Sequence, residues 1–175
     1  MGMSIVKKNT IIVRGHPRQA TYLSEILCIL PHEAFHQALR QYLEKVEPPS
    51  WLSEGSAEYF RSIALEEGGA GNADILVKYA GQKIQKTASI PDTHRLVDHR
   101  EYNNLKERFP VYEMSQVMIS RLIANRDFGK VVSFYKLLHE GIPTDKAFSD
   151  TFGVPMSTFL DEMNVYFKTQ LKSGQ

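Results

Sequence analysis

Two histidines stand four residues apart, His32 and His36, with Glu33 directly after the first and Pro31 directly before it. On an α-helix this spacing places both side chains on one face, with Cβ atoms about 5–6 Å apart. Both imidazoles can then reach one metal ion at roughly 2.0–2.1 Å. The glutamate between them points beside the ion, where it can take a proton from a water on the metal. The chain is thereby constrained to run as helix through residues 32–36. The helical pattern extends over about 19–45, interrupted by Pro31. An interior proline removes a backbone donor and clashes with the preceding turn, at ~3 kcal/mol. The pattern predicts either a kink there or a new helix beginning at Pro31.

Two histidines are not enough. Zinc sites that do chemistry use three protein ligands and leave one position for water. A third histidine six residues beyond His36, preceded by a glycine three residues beyond it, is absent: Tyr42 and Leu39 occupy those places. A glutamate on a following helix is the remaining option. Glu54 lies 18 residues after His36, beyond a Pro48-Pro49 turn that would fold the next helix back on the first. Glu58 sits one helical turn further on the same face. Either can bind the metal; the other is placed to accept the spare ring N–H of a metal-bound histidine and fix its tautomer.

The rest of the chain reads mainly as helix. Ile5–Val13 is the convincing β segment, β-branched at Thr10-Ile11-Ile12-Val13 and followed by Gly15 and Pro17. Further helices are expected over about 51–65, with Ser50 as N-cap, and over 73–86, 111–125, 127–140, 143–152 and 156–172. The last carries Phe159, Met163, Tyr166 and Phe167 on one stripe, read as core. Residues 87–110 are the least regular stretch. The 175 residues with 42% hydrophobic content suit one compact domain over 1–175. A net charge of +1 gives no reason to expect nucleic acid or an anionic membrane surface as partner. No run approaches the ~20 apolar residues of a membrane span. Cys28 has no second cysteine to pair with and lies in the apolar run Ile26–Leu30, as a structural thiol would. With no leader-like segment at Met1–Val6, the expectation is cytoplasmic if that start is native, and secreted or periplasmic if the chain is a processed fragment.

The segment Trp51-Leu52-Ser53-Glu54-Gly55-Ser56-Ala57-Glu58-Tyr59 resembles the W-L-x-E-G-x-A-E-Y block of peptidase MA-like gluzincins. It is related to the W-L-N-E-G-F-A block of the aminopeptidase N family. The resemblance assigns Glu54 as third zinc ligand and leaves Glu58 behind a histidine. Tyr112-Glu113-Met114-Ser115 is similar to the Tyr-x-Lys-Gly segment of those relatives, with Met114 and Ser115 replacing lysine and glycine. It implies that Tyr112 stabilises the oxyanion. The resemblance covers roughly residues 25–170. It implies a mainly α fold with a small β-sheet (α+β), a zincin-like core of active-site helix, glutamate helix and C-terminal helical bundle. In such folds an edge strand binds substrate backbone, here Ile11–Arg14. The G-x-M-E-N segment that anchors a free amino terminus in aminopeptidases is absent, which points away from trimming of amino ends.

The sequence thus predicts a one-zinc metallopeptidase, an endopeptidase acting on peptide or protein substrates. His32, His36 and Glu54 would hold the ion, Glu33 and Tyr112 would do the chemistry, and Glu58 would support a ligand. The alternative is a non-catalytic or latent domain of the same kind that binds a peptide or regulates a partner, with Met1–Lys8 or Leu171–Gln175 filling the cleft. His94 or His99 could add a second electrophile; His16 and His139 read as surface residues.

Overall fold

The computed structural model describes residues 4–7, 10–13, 21–44 and 46–173. A hairpin comes first, β1 (Ser4–Lys7) antiparallel to β2 (Thr10–Val13), with Ser4 opposite Val13 and Lys7 opposite Thr10. Among the described residues eight α-helices follow: α1 (Thr21–Leu43), α2 (Ser50–Glu67), α3 (Ala73–Gln85), α4 (His99–Leu105), α5 (Val111–Leu122), α6 (Gly129–His139), α7 (Thr144–Phe152) and α8 (Met156–Ser173).

This corrects the α+β expectation. Among the described residues the body beyond the hairpin is helical, and no sheet layer lies under α1. The β-branched run does form a strand, but two strands of four residues offer too little surface to be a packing layer. Helices take that place. Both α1 and α5 pack on α2, which is the central element of the fold. Pro31 does not divide the first helix; α1 runs through it without a break. Ser50 is not the N-cap either. It is the first residue of α2, Pro49 holds the cap position, and no side chain caps the end.

The two aromatic anchors of α2 explain why it sits where it does. Trp51 is fully buried, its ring 5.5 Å from Phe159 of α8 and 6.2 Å from Phe148 of α7. Burying a side chain of this size contributes on the order of 2–3 kcal/mol. Tyr59 is 2% exposed and stacks on Phe128 at 6.1 Å. Of the apolar stripe read on α8, Phe159, Met163 and Phe167 are buried core as expected, and Tyr166 is partly buried against it.

The stretch expected to be irregular is ordered by long-range contacts. Thr93 opens a 3-10 turn (Thr93–Leu96) and is fully buried; its Oγ1 donates to the Leu160 carbonyl at 2.7 Å, and its N–H donates to Asn164 Oδ1 at 2.9 Å. The Ser50 N–H donates to the Val97 carbonyl at 3.0 Å, tying the start of α2 to the residues before α4. These bonds anchor the residues that lead into α4, and α4 packs on α2. Thr93→Val keeps the shape and deletes the hydroxyl. It is expected to cost about 1 kcal/mol, read as a fall of roughly 2–4 °C in thermal midpoint.

Candidate metal centre

His32 and His36 emerge one turn apart on α1, and Glu54 meets them from the first half of α2. His32 Nε2 and His36 Nε2 are 3.0 Å apart, His36 Nε2 and Glu54 Oε2 3.1 Å, and His32 Nε2 and Glu54 Oε2 3.4 Å. The three atoms form a nearly equilateral triangle. A tetrahedral zinc with ligand bonds of 2.0–2.1 Å would separate its ligand atoms by about 3.3 Å. The triangle matches one face of that tetrahedron, so this trio could hold a metal ion.

Protonation fits the same reading. His32 Nδ1 lies 3.0 Å from Glu58 Oε1, a close ionic contact without the alignment of a full hydrogen bond. A proton on Nδ1 facing this carboxylate leaves Nε2 of the neutral ring with its lone pair toward Glu54 and His36. Burial alone would lower the His32 pKa, but the Glu54 and Glu58 carboxylates outweigh it and raise the value from 6.5 to about 9. Burial likewise works to raise Glu54, and His32 and His36 overcome it, bringing its carboxyl to about 2. Without metal, a proton on His32 supplies the positive charge that the two carboxylates attract.

A pKa raised from 6.5 to about 9 contributes stability to the metal-free fold below pH 6.5, lost as pH rises through about 9. A metal must displace that proton, so loading at pH 7.5 should release one proton from His32. Apparent affinity should rise by about tenfold per pH unit across this window. Titration calorimetry in buffers of different ionisation enthalpy reads the proton directly.

Glu33, Tyr112, His32, His36 and Glu54 line one cleft of about 730 Å³. Glu33 is half-buried and makes no ion pair among the described residues. Tyr112 lies in the first turn of α5, its ring centroid 6.3 Å from that of His32 and 5.9 Å from buried Tyr102. Burial first, then the carboxylates of Glu54, Glu58 and Glu33, push its hydroxyl up to about 12. Tyr112 is therefore a neutral phenol, able to donate, across the physiological range.

The remaining candidates separate. Glu58 is not in the cleft lining; it lies behind His32, where a supporting carboxylate belongs. His99 lines the cleft, its Nε2 2.9 Å from Asn103 Nδ2, whereas His94 pairs with Asp161 at 2.9 Å and lies off the cleft. His139 is a surface residue stacked on Tyr42 at 4.5 Å, with Nδ1 donating to the Tyr42 carbonyl at 2.8 Å. Cys28 is partly buried. The Ile11–Val13 strand is β2, while Arg14, His16 and the proposed plug segments, apart from Ser4–Lys7 and the backbone of Leu171–Ser173, lie outside the described residues. Among the described residues no helix is long and apolar enough to cross a membrane. Arg40 and Lys106 also line the cleft; no local motif marks them.

No family model matches the chain, and neither curated proteins nor solved structures give a match.

Proposed function

We propose that the chain is a gluzincin-type zinc metallopeptidase that cleaves within peptide chains. The observation that carries this reading is the convergence of His32, His36 and Glu54 on one point, with Glu33 and Tyr112 in the same cleft. A zinc ion held there supplies a Lewis acid and a coordinated water whose pKa falls toward ~7.

The protein's own groups have distinct tasks. Glu33 has no ionic partner among the described residues and accepts a proton from the attacking water, then delivers it to the leaving nitrogen. Tyr112 donates its phenolic hydrogen to the developing oxyanion; loss of one such donor typically costs ~10²–10³ in rate. Glu58 holds the His32 ring in the tautomer that offers Nε2.

The shape of the cleft favours an extended substrate. Its lining follows α1 from His32 to Leu43. The eleven rises of helix between those two residues, at ~1.5 Å each, make a wall of about 16 Å, the reach of about five extended peptide residues. Leu39, Leu43, Val46 and Pro48 give the far half an apolar floor, while Arg40 and Glu44 are charged.

Metal analysis of the purified chain, followed by digestion of a quenched-fluorescent peptide library, tests the reading. One zinc per chain with internal cleavage supports it. Zinc with peptide binding and no cleavage would favour the non-catalytic alternative instead. His36→Ala and Glu54→Ala should each lose the metal; a Glu54 variant fully loaded with zinc would remove Glu54 from the ligand set.

A further inference from the structure

Glu58 is held from its far side. Its Oε1 faces His32 Nδ1 at 3.0 Å, and its Oε2 accepts from an Arg61 terminal nitrogen at 2.5 Å. Arg61 lies three residues on along α2. An ion pair at this spacing on a helix surface ordinarily contributes little, but this one is not at the surface. Glu58 is 15% exposed and Arg61 28%, and Arg61 Nε is buried with no hydrogen-bond partner. The near edge of the guanidinium has left water, and Glu58 is its ionic partner among the described residues. Glu58 and Glu54 are both carboxylates beside His32, and Arg61 is the arginine in ion-pair contact with either of them.

We infer that Arg61 is a positioning residue for the metal centre, acting through Glu58 to fix the His32 ring with Nε2 toward Glu54 and His36. The inference rests on the metal-centre reading above. Without Arg61, Glu58 has one anchor left and can swing toward solvent. His32 then loses the partner that sets its tautomer and ring orientation. The contact runs through one terminal nitrogen of Arg61 to one oxygen of Glu58, a charge-assisted hydrogen bond that any cation of similar reach can make.

The test is zinc affinity of the full chain, measured by competition with a chromophoric chelator, for Arg61→Ala, Arg61→Lys, Glu58→Gln and the Arg61→Ala/Glu58→Gln double variant. Loss of such a supporting partner typically weakens metal binding about 10–100-fold. Glu58→Gln should fall in that range, and Arg61→Ala should weaken binding about tenfold. The double variant should be no weaker than Glu58→Gln alone, because Arg61 acts through Glu58. Arg61→Lys should recover most of the loss. Cobalt(II) spectra of the loaded proteins should change in the same direction for Arg61→Ala and Glu58→Gln and return toward wild type in Arg61→Lys. If Arg61→Ala does not fold, Arg61→Gln carries the same test with the aliphatic stem kept.

Wild-type zinc affinity in Arg61→Ala, or losses that add in the double variant, would overturn the inference and leave the metal centre standing. A wild-type chain that holds no zinc would overturn the metal centre and this inference together.

Discussion

Glu33→Gln is expected to keep one zinc per chain and lose hydrolysis by ~10²–10⁴-fold. Glutamine has the same length and shape and accepts no proton at neutral pH, so the variant removes the base and little else. Metal content should not change, because Glu33 is not among the three atoms that converge. Stability should stay within about 0.5 kcal/mol, as for surface changes away from buried networks, since Glu33 makes no ion pair among the described residues. The size of the rate loss follows from what a positioned general base contributes. The charge change has a second consequence. The Glu33 carboxylate is one of the groups that hold the Tyr112 hydroxyl up, after burial and the two carboxylates of α2. Removing it moves Tyr112 slightly downward and leaves it a neutral donor, so the oxyanion partner survives. Zinc by elemental analysis and turnover of one fluorogenic peptide, measured on the same preparation, decide the matter. Hydrolysis at the wild-type rate would remove Glu33 from the mechanism. A variant that still binds the peptide uncleaved would separate recognition from chemistry.

The three residues that could hold a metal are legible in the sequence because their signal is local. His32 and His36 share a helical face by spacing alone, and Glu54 required only that the next helix fold back after Pro48-Pro49. The distances of 3.0, 3.1 and 3.4 Å realise that geometry. What failed was extension from one β-branched run to a sheet. Thr10–Val13 is a strand, but the resemblance supplied the layer around it, and nothing in the residues did. The inner face of α1 shows why no sheet is needed. Phe35 meets the rings of Phe60, Phe128 and Tyr135 at 5.6, 6.0 and 6.2 Å, all from helices or the turn before α6. Residues 87–110 looked irregular because what orders them is far away in sequence. Thr93 is bonded to Leu160 and Asn164, and no periodicity within the stretch encodes that. Arg61 escaped for a related reason. Its spacing to Glu58 is that of any surface pair, and only burial distinguishes it.

Gly55→Ala is expected to be the most damaging glycine-to-alanine substitution among the described residues, and the reason lies in the backbone of another helix. A Cβ at residue 55 would sit 2.4 Å from the Ser115 carbonyl oxygen, 2.7 Å from its carbon and 2.8 Å from Ile119 Cγ1. Backbone atoms cannot rotate aside as a side-chain tip can, so α2 and α5 must separate by about 1 Å to reach ordinary contact. Intrinsic helix propensity favours alanine over glycine by ~1 kcal/mol. Overpacking of this kind costs about 1–3 kcal/mol and sometimes more, and here the contact is with fixed backbone in the principal helix pair, so the clash wins. Gly81 provides the control. It lies within α3 with nothing within 4 Å of an added Cβ, so Gly81→Ala should stabilise by about 0.5–1 kcal/mol. The two alanines should therefore shift the thermal midpoint in opposite directions. Function should follow stability at residue 55, because Glu54 is its neighbour on α2 and Tyr112 lies one turn before Ser115 on α5. Separating those helices moves Glu54 away from Tyr112, and on the proposed mechanism a misplacement of about 1 Å can cost ~10²-fold in rate. A Gly55→Ala protein with wild-type melting and wild-type turnover would mean that α2 and α5 do not approach this closely. The glycine in the Glu54-Gly55 pair would then need another explanation.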